Sequence, residues 1–410
     1  MTGQLTLGPG LLPAADAIAQ AVLCPGPPPE GRMWLAQSLS DGTAGTALLH
    51  IERAHLGYGT WQRAHAWIST AASGEISAGD TAGLFLGLPA VAFMLDAAAS
   101  GSSWYTAGLA DADRHLTALA CARAAAGTDR ILAGRLGGFQ EWDVFFGLAG
   151  LGALLLRRSP GGSAMERVLQ YLVALTQPLH VDGLEVPGWW SGHDPSRQQS
   201  RAYRGGHGNL GAAHGTGPLA LLGHAMRKGI AVDGQREAIA TILAWLETWK
   251  QDSPAGPWWP EWITLDEMRT GRPAQRRPNR PSWCYGTPGI ARAGQVAAIA
   301  LGDHCRQREY EQALLQCLHD PAQLAQLTDA GLCHGAAGLY MTAWRAAQDA
   351  LTPAIETELP ELAALLLKLA AGRPRGTGFL NGTAGTALAL HAAASGAAPI
   401  SGWDACLLIS

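Results

Sequence analysis

No stretch of this sequence is apolar for long enough to cross a bilayer. The longest such run, Ala82 to Leu95, is closed by Asp96 and falls short of the ~20 residues a spanning helix needs. No basic residue precedes Arg32, so the apolar segment from Leu11 to Leu23 lacks the charged flank of a signal peptide. Charge of either sign is scarce, at 15% of 410 residues, and the formal balance of −4 gives no reason to expect a nucleic-acid partner. Cysteine is sparse too: seven thiols scattered over this length do not make the framework of a disulfide-stapled secreted domain. Together these absences place the chain in a reducing cytoplasm with no membrane insertion, where thiols stay available for a metal or for catalysis. Two hydrolytic zinc signatures are missing as well, the H-E-x-x-H string and the H-x-E with P-C-x-x-C of deaminases.

What is abundant is glycine. The 52 glycines exceed the usual ~7% share and follow no Gly-X-Y period; they cluster between Ala/Leu-rich runs, as turns between helices do. One pattern recurs: DGTAGTALL from Asp41, LGLPAVAFML from Leu86, FGLAGLGALLL from Phe146, HGTGPLALL from His214, YGTPGIARA from Tyr285, HGAAGLYMTA from His334 and NGTAGTALAL from Asn381. Each copy is a glycine turn, then small residues, then an aliphatic run. The second has Ala90 in place of its second glycine, and the fourth is one residue shorter. The first glycines, Gly42, Gly87, Gly147, Gly215, Gly286, Gly335 and Gly382, recur every 45 to 71 residues, and the shorter spacing accommodates two helices and two turns. Seven helical hairpins therefore span residues 1–410 as a single all-α domain, with loop insertions at about 177–209 and 251–283 in the two longest intervals. Both terminal units keep the full Gly-x-x-Gly turn, unlike the polar caps of an open solenoid. The expected fold is an α/α toroid, a double ring of about fourteen helices around a central cavity; an open solenoid is the alternative.

The turns that start the inner helices of such a ring lie at one end, so polar residues beside the first glycine converge on the cavity. Helix N-termini are expected to add positive potential there. Those residues include Asp41, His214, Tyr285, His334 and Asn381, and one position earlier stand Cys284 and Cys333, in consecutive units. Cys284, Cys333 and His334 form a three-ligand zinc set with the fourth position open. Ordinary burial is the competing reading for any cysteine. It stands for Cys24, Cys121, Cys305, Cys317 and Cys406, none of which has a repeat-equivalent partner. Two anionic sulfurs lower the ion's Lewis acidity toward water, so the set suits capture of another thiol as thiolate below its free pKa of ~8.5.

These motifs resemble those of the lanthionine synthetase C-like family, the lanthipeptide cyclases. The resemblance is carried by WCYGTPG at 283–289, CHGAAG at 333–338, NLGAAHG at 209–215, GPWWPEWIT at 256–264, DVFFGLAG at 143–150 and NGTAG at 381–385. It implies an α/α toroid with one Zn2+ per chain on Cys284, Cys333 and His334. The implied reaction is intramolecular Michael-type addition of peptide cysteine thiols to dehydroalanine or dehydrobutyrine, giving (methyl)lanthionine thioether rings. The family's acid/base and orienting residues match Asp143, His214, Arg280 and Tyr285. The implied substrate is a dehydrated precursor peptide, and the implied partners are a lanthipeptide dehydratase and a transporter. The chain resembles the stand-alone class I cyclases, which implies a cytoplasmic location extending to the periphery of a membrane-associated biosynthetic complex.

In that scheme His214, with a free pKa near 6.5, deprotonates the thiol or protonates the enolate. Arg280 meets the enolate charge, Asp143 orients His214, and Tyr285 lies beside a ligand. Plainer roles compete: Asp143 as a helix cap, Tyr285 as a packed aromatic, Arg280 as a solvated arginine. The shortened HGTGP turn predicts a shifted helix start beside His214. The insertions combine paired tryptophans with five arginines between Arg269 and Arg280, which reads as a basic, aromatic rim for an extended peptide or as solvated loops with packed tryptophans. His193 and His207 are assigned to no metal. Three other functions compete with the cyclase: addition of glutathione or another thiol to dehydrated residues, a non-catalytic peptide-binding scaffold whose structural zinc needs a fourth ligand, and a toroidal glycosidase. The last needs two facing carboxylates, for which only Asp41 and Asp143 offer themselves.

Overall fold

Each of the seven glycine turns launches a helix. Numbered along the chain in a computed structural model that describes residues 10–28, 30–100, 102–372 and 376–410, these are α2 (Thr43–His55), α4 (Leu88–Ala99), α6 (Leu148–Arg158), α8 (Gly217–Arg227), α11 (Thr287–Leu301), α14 (Ala336–Asp349) and α16 (Thr383–Ser395). Alternating with them are α1 (Leu11–Ala21), α3 (Trp61–Ala71), α5 (Thr106–Leu132), α7 (Ser163–Ala174), α9 (Gln235–Trp249), α12 (His304–Leu318) and α15 (Leu359–Ala370). Two short helices, α10 (Leu265–Thr270) and α13 (Pro321–Leu324), are additions to this pattern.

The two sets differ in chemistry. In α2 every residue from Ala44 to Ala54 is buried, and in α11 every residue from Thr287 to Ala298; a helix buried all round belongs inside a core. The alternating set is amphipathic. Helix α7 buries Ala164, Met165, Val168, Leu169, Tyr171 and Leu172 and turns Glu166, Arg167 and Gln170 outward, the stripe expected of a helix packed on one face.

The second glycine of the turn is a packing requirement. A Cβ at Gly45, Gly289 or Gly385 would lie 1.9 Å from the carbonyl oxygen of the residue six positions earlier, Leu39, Trp283 or Phe379. The same glycine's N–H donates to the carbonyl seven positions back: Gly45 to Ser38 (3.1 Å), Gly150 to Asp143 (3.1 Å), Gly338 to Gly331 (3.3 Å). The approaching loop thus lies flat on the first turn and replaces the side-chain cap that all seven helices lack. Some of the N–H groups expected to supply positive potential to a cavity are therefore already spent on the chain itself. In the shortened HGTGP turn the N-cap moves on to Thr216 and α8 begins at Gly217, the one-residue shift read from the sequence.

The chain divides into two compact units, one of Met1–Leu116, Leu327–Cys406 and Ser410, the other of Thr117–Gln326 and Leu407–Ile409. In the first, α14, α16, α2 and α4 pack in that order, with α15 on α14, α1 on α16 and α3 on α2. In the second, α6, α8 and α11 pack in that order and carry α7, α9 and α12. Backbone bonds join neighbouring turns. In the first unit Cys333 N–H donates to Leu380 O (2.9 Å), Leu380 N–H to Ser40 O (2.9 Å) and Leu39 N–H to Phe85 O (3.0 Å). In the second, Val144 N–H donates to Ala213 O (2.9 Å) and Ala213 N–H to Cys284 O (3.5 Å). Ser40, Ala213, Cys284, Cys333 and Leu380 all stand two residues before their first glycine, so the repeat slot read from sequence is a structural position.

The segments at 177–209 and 251–283 hold the strands. β1 (Leu179–Val181) and β2 (Leu184–Val186) form a hairpin through Asp182 and Gly183, both at positive φ. β4 (His207–Asn209) lies between β3 (Trp190–Ser191) and β5 (Trp262–Thr264), all antiparallel, with Asn209 opposite Trp262. One small sheet therefore ties the two segments together. The paired tryptophans expected on a peptide-binding rim are core residues instead: Trp189, Trp190, Trp258 and Trp259 are at most 4% exposed. Trp190 and Trp259 donate their indole N–H to Gly205 O and Leu246 O, both at 2.8 Å, which makes burial of so large a ring favourable. Arg269, Arg272, Arg276 and Arg277 are exposed.

Candidate active site

Ser282 shapes the turn before α11. Its hydroxyl donates to Tyr285 O (2.6 Å) and its N–H donates to the same oxygen (3.2 Å). Gly286, at φ 100°, lets the chain pass the Arg280 carbonyl, which a Cβ would meet at 2.7 Å. Cys284 is thereby held almost fully buried. In the turn before α14, Asp329 Oδ1 accepts from Gly331 N–H (3.0 Å), leaving Cys333 buried and His334 half-buried.

The ligand atoms of Cys284, Cys333 and His334 all lie within 4.8 Å of one another. Ligands on one zinc at ~2.3 Å for sulfur and ~2.0 Å for nitrogen stand ~3.5–4 Å apart in a tetrahedron, so the three need only a small adjustment to share an ion. No fourth cysteine, histidine or carboxylate joins the group among the described residues, the donor set of a site with an open position rather than of a closed structural one.

Asp143 does not cap α6, whose N-cap is Gly147, but its carboxylate holds the turn before that helix and also faces His214. Its side chain is fully buried; Oδ1 accepts from the N–H groups of Phe146 (2.7 Å) and Gly147 (2.9 Å) at the start of α6, and Oδ2 lies 2.8 Å from His214 Nδ1. In the neutral imidazole, the carboxylate places the proton on Nδ1 and leaves Nε2 with its lone pair. The His214 ring is walled by Phe139 (4.6 Å), Phe145 (5.2 Å) and Tyr285 (6.0 Å between centroids). Burial, reinforced by the charges of Cys284, Glu261 and Asp143, pushes the Tyr285 hydroxyl well above the usual phenol range even though Asn209 donates to it, so it stays protonated.

Among the sequence-predicted residues, His214 joins Asp143 by a hydrogen bond and Tyr285 by a ring contact within one unit, and Cys284, Cys333 and His334 form one cluster. Arg280 is half-buried, linked to the site through its backbone against Gly286, with no carboxylate on its guanidinium among the described residues. Sequence reasoning passed over Asn209, whose Nδ2 donates to Tyr285 Oη at 2.8 Å, and Trp262, edge-on to the Tyr285 ring at 6.3 Å. A signal for Asn209 existed: it stands six residues before its first glycine, as Arg280 and Asp329 do before theirs. Asp41, the other carboxylate a glycosidase would need, is exposed and accepts from Ser40. A groove of about 480 Å³ between α9 and α12, lined by Trp259, Glu309 and Tyr310 among others, shares no residue with this constellation; the donor set, not the size of a cavity, marks the site.

Residues 33–408 match the family described as lanthionine synthetase C-like protein. Nisin biosynthesis protein NisC of Lactococcus lactis subsp. lactis is 24% identical over 256 residues, which cover 61% of this chain and 60% of that relative's length. Among solved structures, a nisin cyclase superposes with a TM-score of 0.77 at 20% identity, covering 97% of this chain and 96% of its own. That likeness shows the fold, an α/α toroid. No helix among the described residues is long and apolar enough to cross a membrane. With its motifs matched from the first repeat to the last, the chain belongs to the lanthionine synthetase C-like family.

Proposed function

We propose that this chain is a zinc-dependent lanthipeptide cyclase that adds cysteine thiols of a dehydrated peptide to its own dehydroalanine or dehydrobutyrine side chains. The observation that carries the reading is the three-ligand cluster of Cys284, Cys333 and His334, in a chain where an aspartate also holds His214 in one tautomer. Zinc held by those three residues would supply a Lewis acid that keeps a substrate thiol ionised near neutral pH.

The remaining chemistry falls to the chain's own side chains. His214 Nε2, unprotonated while Asp143 holds Nδ1, accepts the thiol proton. As the C–S bond forms at the alkene β-carbon, the π electrons move to the neighbouring carbonyl oxygen. The Tyr285 hydroxyl and the Arg280 guanidinium are the donors for that charge. The proton then returns from His214 to the α-carbon, so that atoms balance and the product is an isomer of the substrate. The rings of Phe139, which is buried, and Phe145, which is half-buried, shield one side of His214 from bulk water. Such a substrate is the product of an earlier dehydration; a dehydratase and a transporter are the partners this reading implies, and a cytoplasmic setting, peripheral to such a complex, suits the free thiols.

Because cyclisation leaves mass unchanged, the test counts thiols. A dehydrated, cysteine-containing peptide incubated with the zinc-loaded protein should lose alkylatable thiols without a mass change. A gain of one glutathione mass, when that thiol is present, would favour the intermolecular alternative. Unchanged thiols on every dehydrated peptide tried would overturn the cyclase reading.

A further inference from the structure

We infer that Asn209 is a positioning residue that fixes the Tyr285 hydroxyl as a hydrogen-bond donor to the reacting peptide; this rests on the cyclase reading above. The argument concerns the direction of one hydrogen bond. Asn209 Oδ1 lies 3.0 Å from Gly211 N–H, and its Nδ2 lies 2.8 Å from Tyr285 Oη. A backbone N–H can only donate, so the side-chain atom facing it must be the oxygen. The repeat supports this assignment independently. Asp329, six residues before Gly335 as Asn209 is before Gly215, has only oxygens to offer and makes the same bond to Gly331 N–H, also at 3.0 Å.

With its oxygen committed, Asn209 presents only hydrogens to the phenol. Tyr285 Oη must accept, and its own hydrogen points elsewhere. No described residue takes that hydrogen. The ring is held in place: a Cβ at Gly211 would lie 2.6 Å from it, and Trp262 stands edge-on. The neighbouring His214 has its Nδ1 engaged by Asp143. The hydrogen is therefore left to a group that enters the site, beside Cys284, whose charge reaches the phenol. If aspartate stood at 209, as it does at 329, the turn bond to Gly211 would survive, but the second carboxylate oxygen would capture the phenol hydrogen. The amide allows the same fold and leaves the hydrogen for the substrate.

Asn209→Asp separates this role from a structural one, because it keeps the turn and nearly the same shape. With zinc content and melting temperature matched to the parent, N209D is expected to lower kcat about as far as Y285F. That loss should be on the order of 10²-fold, typical of removing one preorganised donor, with KM little changed and the N209D/Y285F double variant no worse than either alone. Should N209D not fold, Asn209→Ser carries the same test. Its short hydroxyl can serve Gly211 N–H but not the phenol, so any loss it causes must vanish in the Y285F background. Parental kcat in N209D, full activity in Y285F, or losses that multiply in the double variant would each overturn the inference. A parent protein that consumes no thiols fails earlier, at the cyclase reading.

Discussion

Asp143 concentrates the residue-scale argument, because its two oxygens serve different ends. One holds the start of α6 through Phe146 and Gly147; the other orients His214. In Asp143→Asn the amide oxygen can still accept from the two backbone N–H groups, but an NH2 then faces His214 Nδ1 and stabilises the opposite tautomer. We expect a melting temperature close to the parent's and a cyclisation rate lower by roughly 10²–10⁴-fold, the cost of a wrongly held imidazole. A rate near the parent's would remove Asp143 from the chemistry. At this scale the sequence was legible wherever chemistry and repeat position coincided. Cys284 and Cys333 share a slot, and His334 follows one of them. Asn209 was not legible because Asn before a glycine turn reads as ordinary turn chemistry, and only the side chain it reaches across 76 residues distinguishes it. The paired tryptophans misled for a related reason: a Trp-Trp dipeptide beside arginines looks the same in sequence whether its indole N–H meets a ligand or a backbone carbonyl.

Among the elements, the turn-launched helices were the most legible, since their glycines are required by carbonyl oxygens 1.9 Å from an added Cβ. The strands were not, being two or three residues long and set by pairing between distant segments. The same buried helices carry titratable groups. His50 on α2 and His391 on α16 are both held down to about 4, first by burial and then by nearby arginine charge, Arg63 and Arg53 for His50 and Arg53 for His391. A bond from Val22 partly opposes the shift at His50, and Asp16 partly opposes it at His391. Arg53 donates to His391 Nε2 at 2.9 Å, which requires a neutral ring. Because the folded pKa lies below the unfolded value near 6.5, the unfolded chain takes up protons that the folded chain refuses as pH falls. Stability is therefore full above about pH 6.5 and declines toward pH 4. Between pH 7 and pH 5 each histidine should remove at most about 2 kcal/mol, visible as a falling urea midpoint. A midpoint flat across that interval would contradict the burial assigned to these rings.

At the scale of the whole molecule, seven hairpins read from glycine spacing correspond to seven turn-launched helices and seven alternating ones, and the family match runs from residue 33 to residue 408. The repeat explains why the ligands are where they are: a position that elsewhere holds Ala213, Leu380 or Ser40 and bonds to the next turn holds cysteine in two copies. Substituting such a residue should cost the metal before it costs the fold, because the bonds in that slot are made by the backbone. Zinc per chain in the purified parent, measured beside a folded Cys333→Ala variant, tests this most directly. The account predicts one zinc in the parent and far less in the variant, with both showing the same helical content. A reduced, folded parent that carries no zinc and takes up none when it is supplied would contradict it.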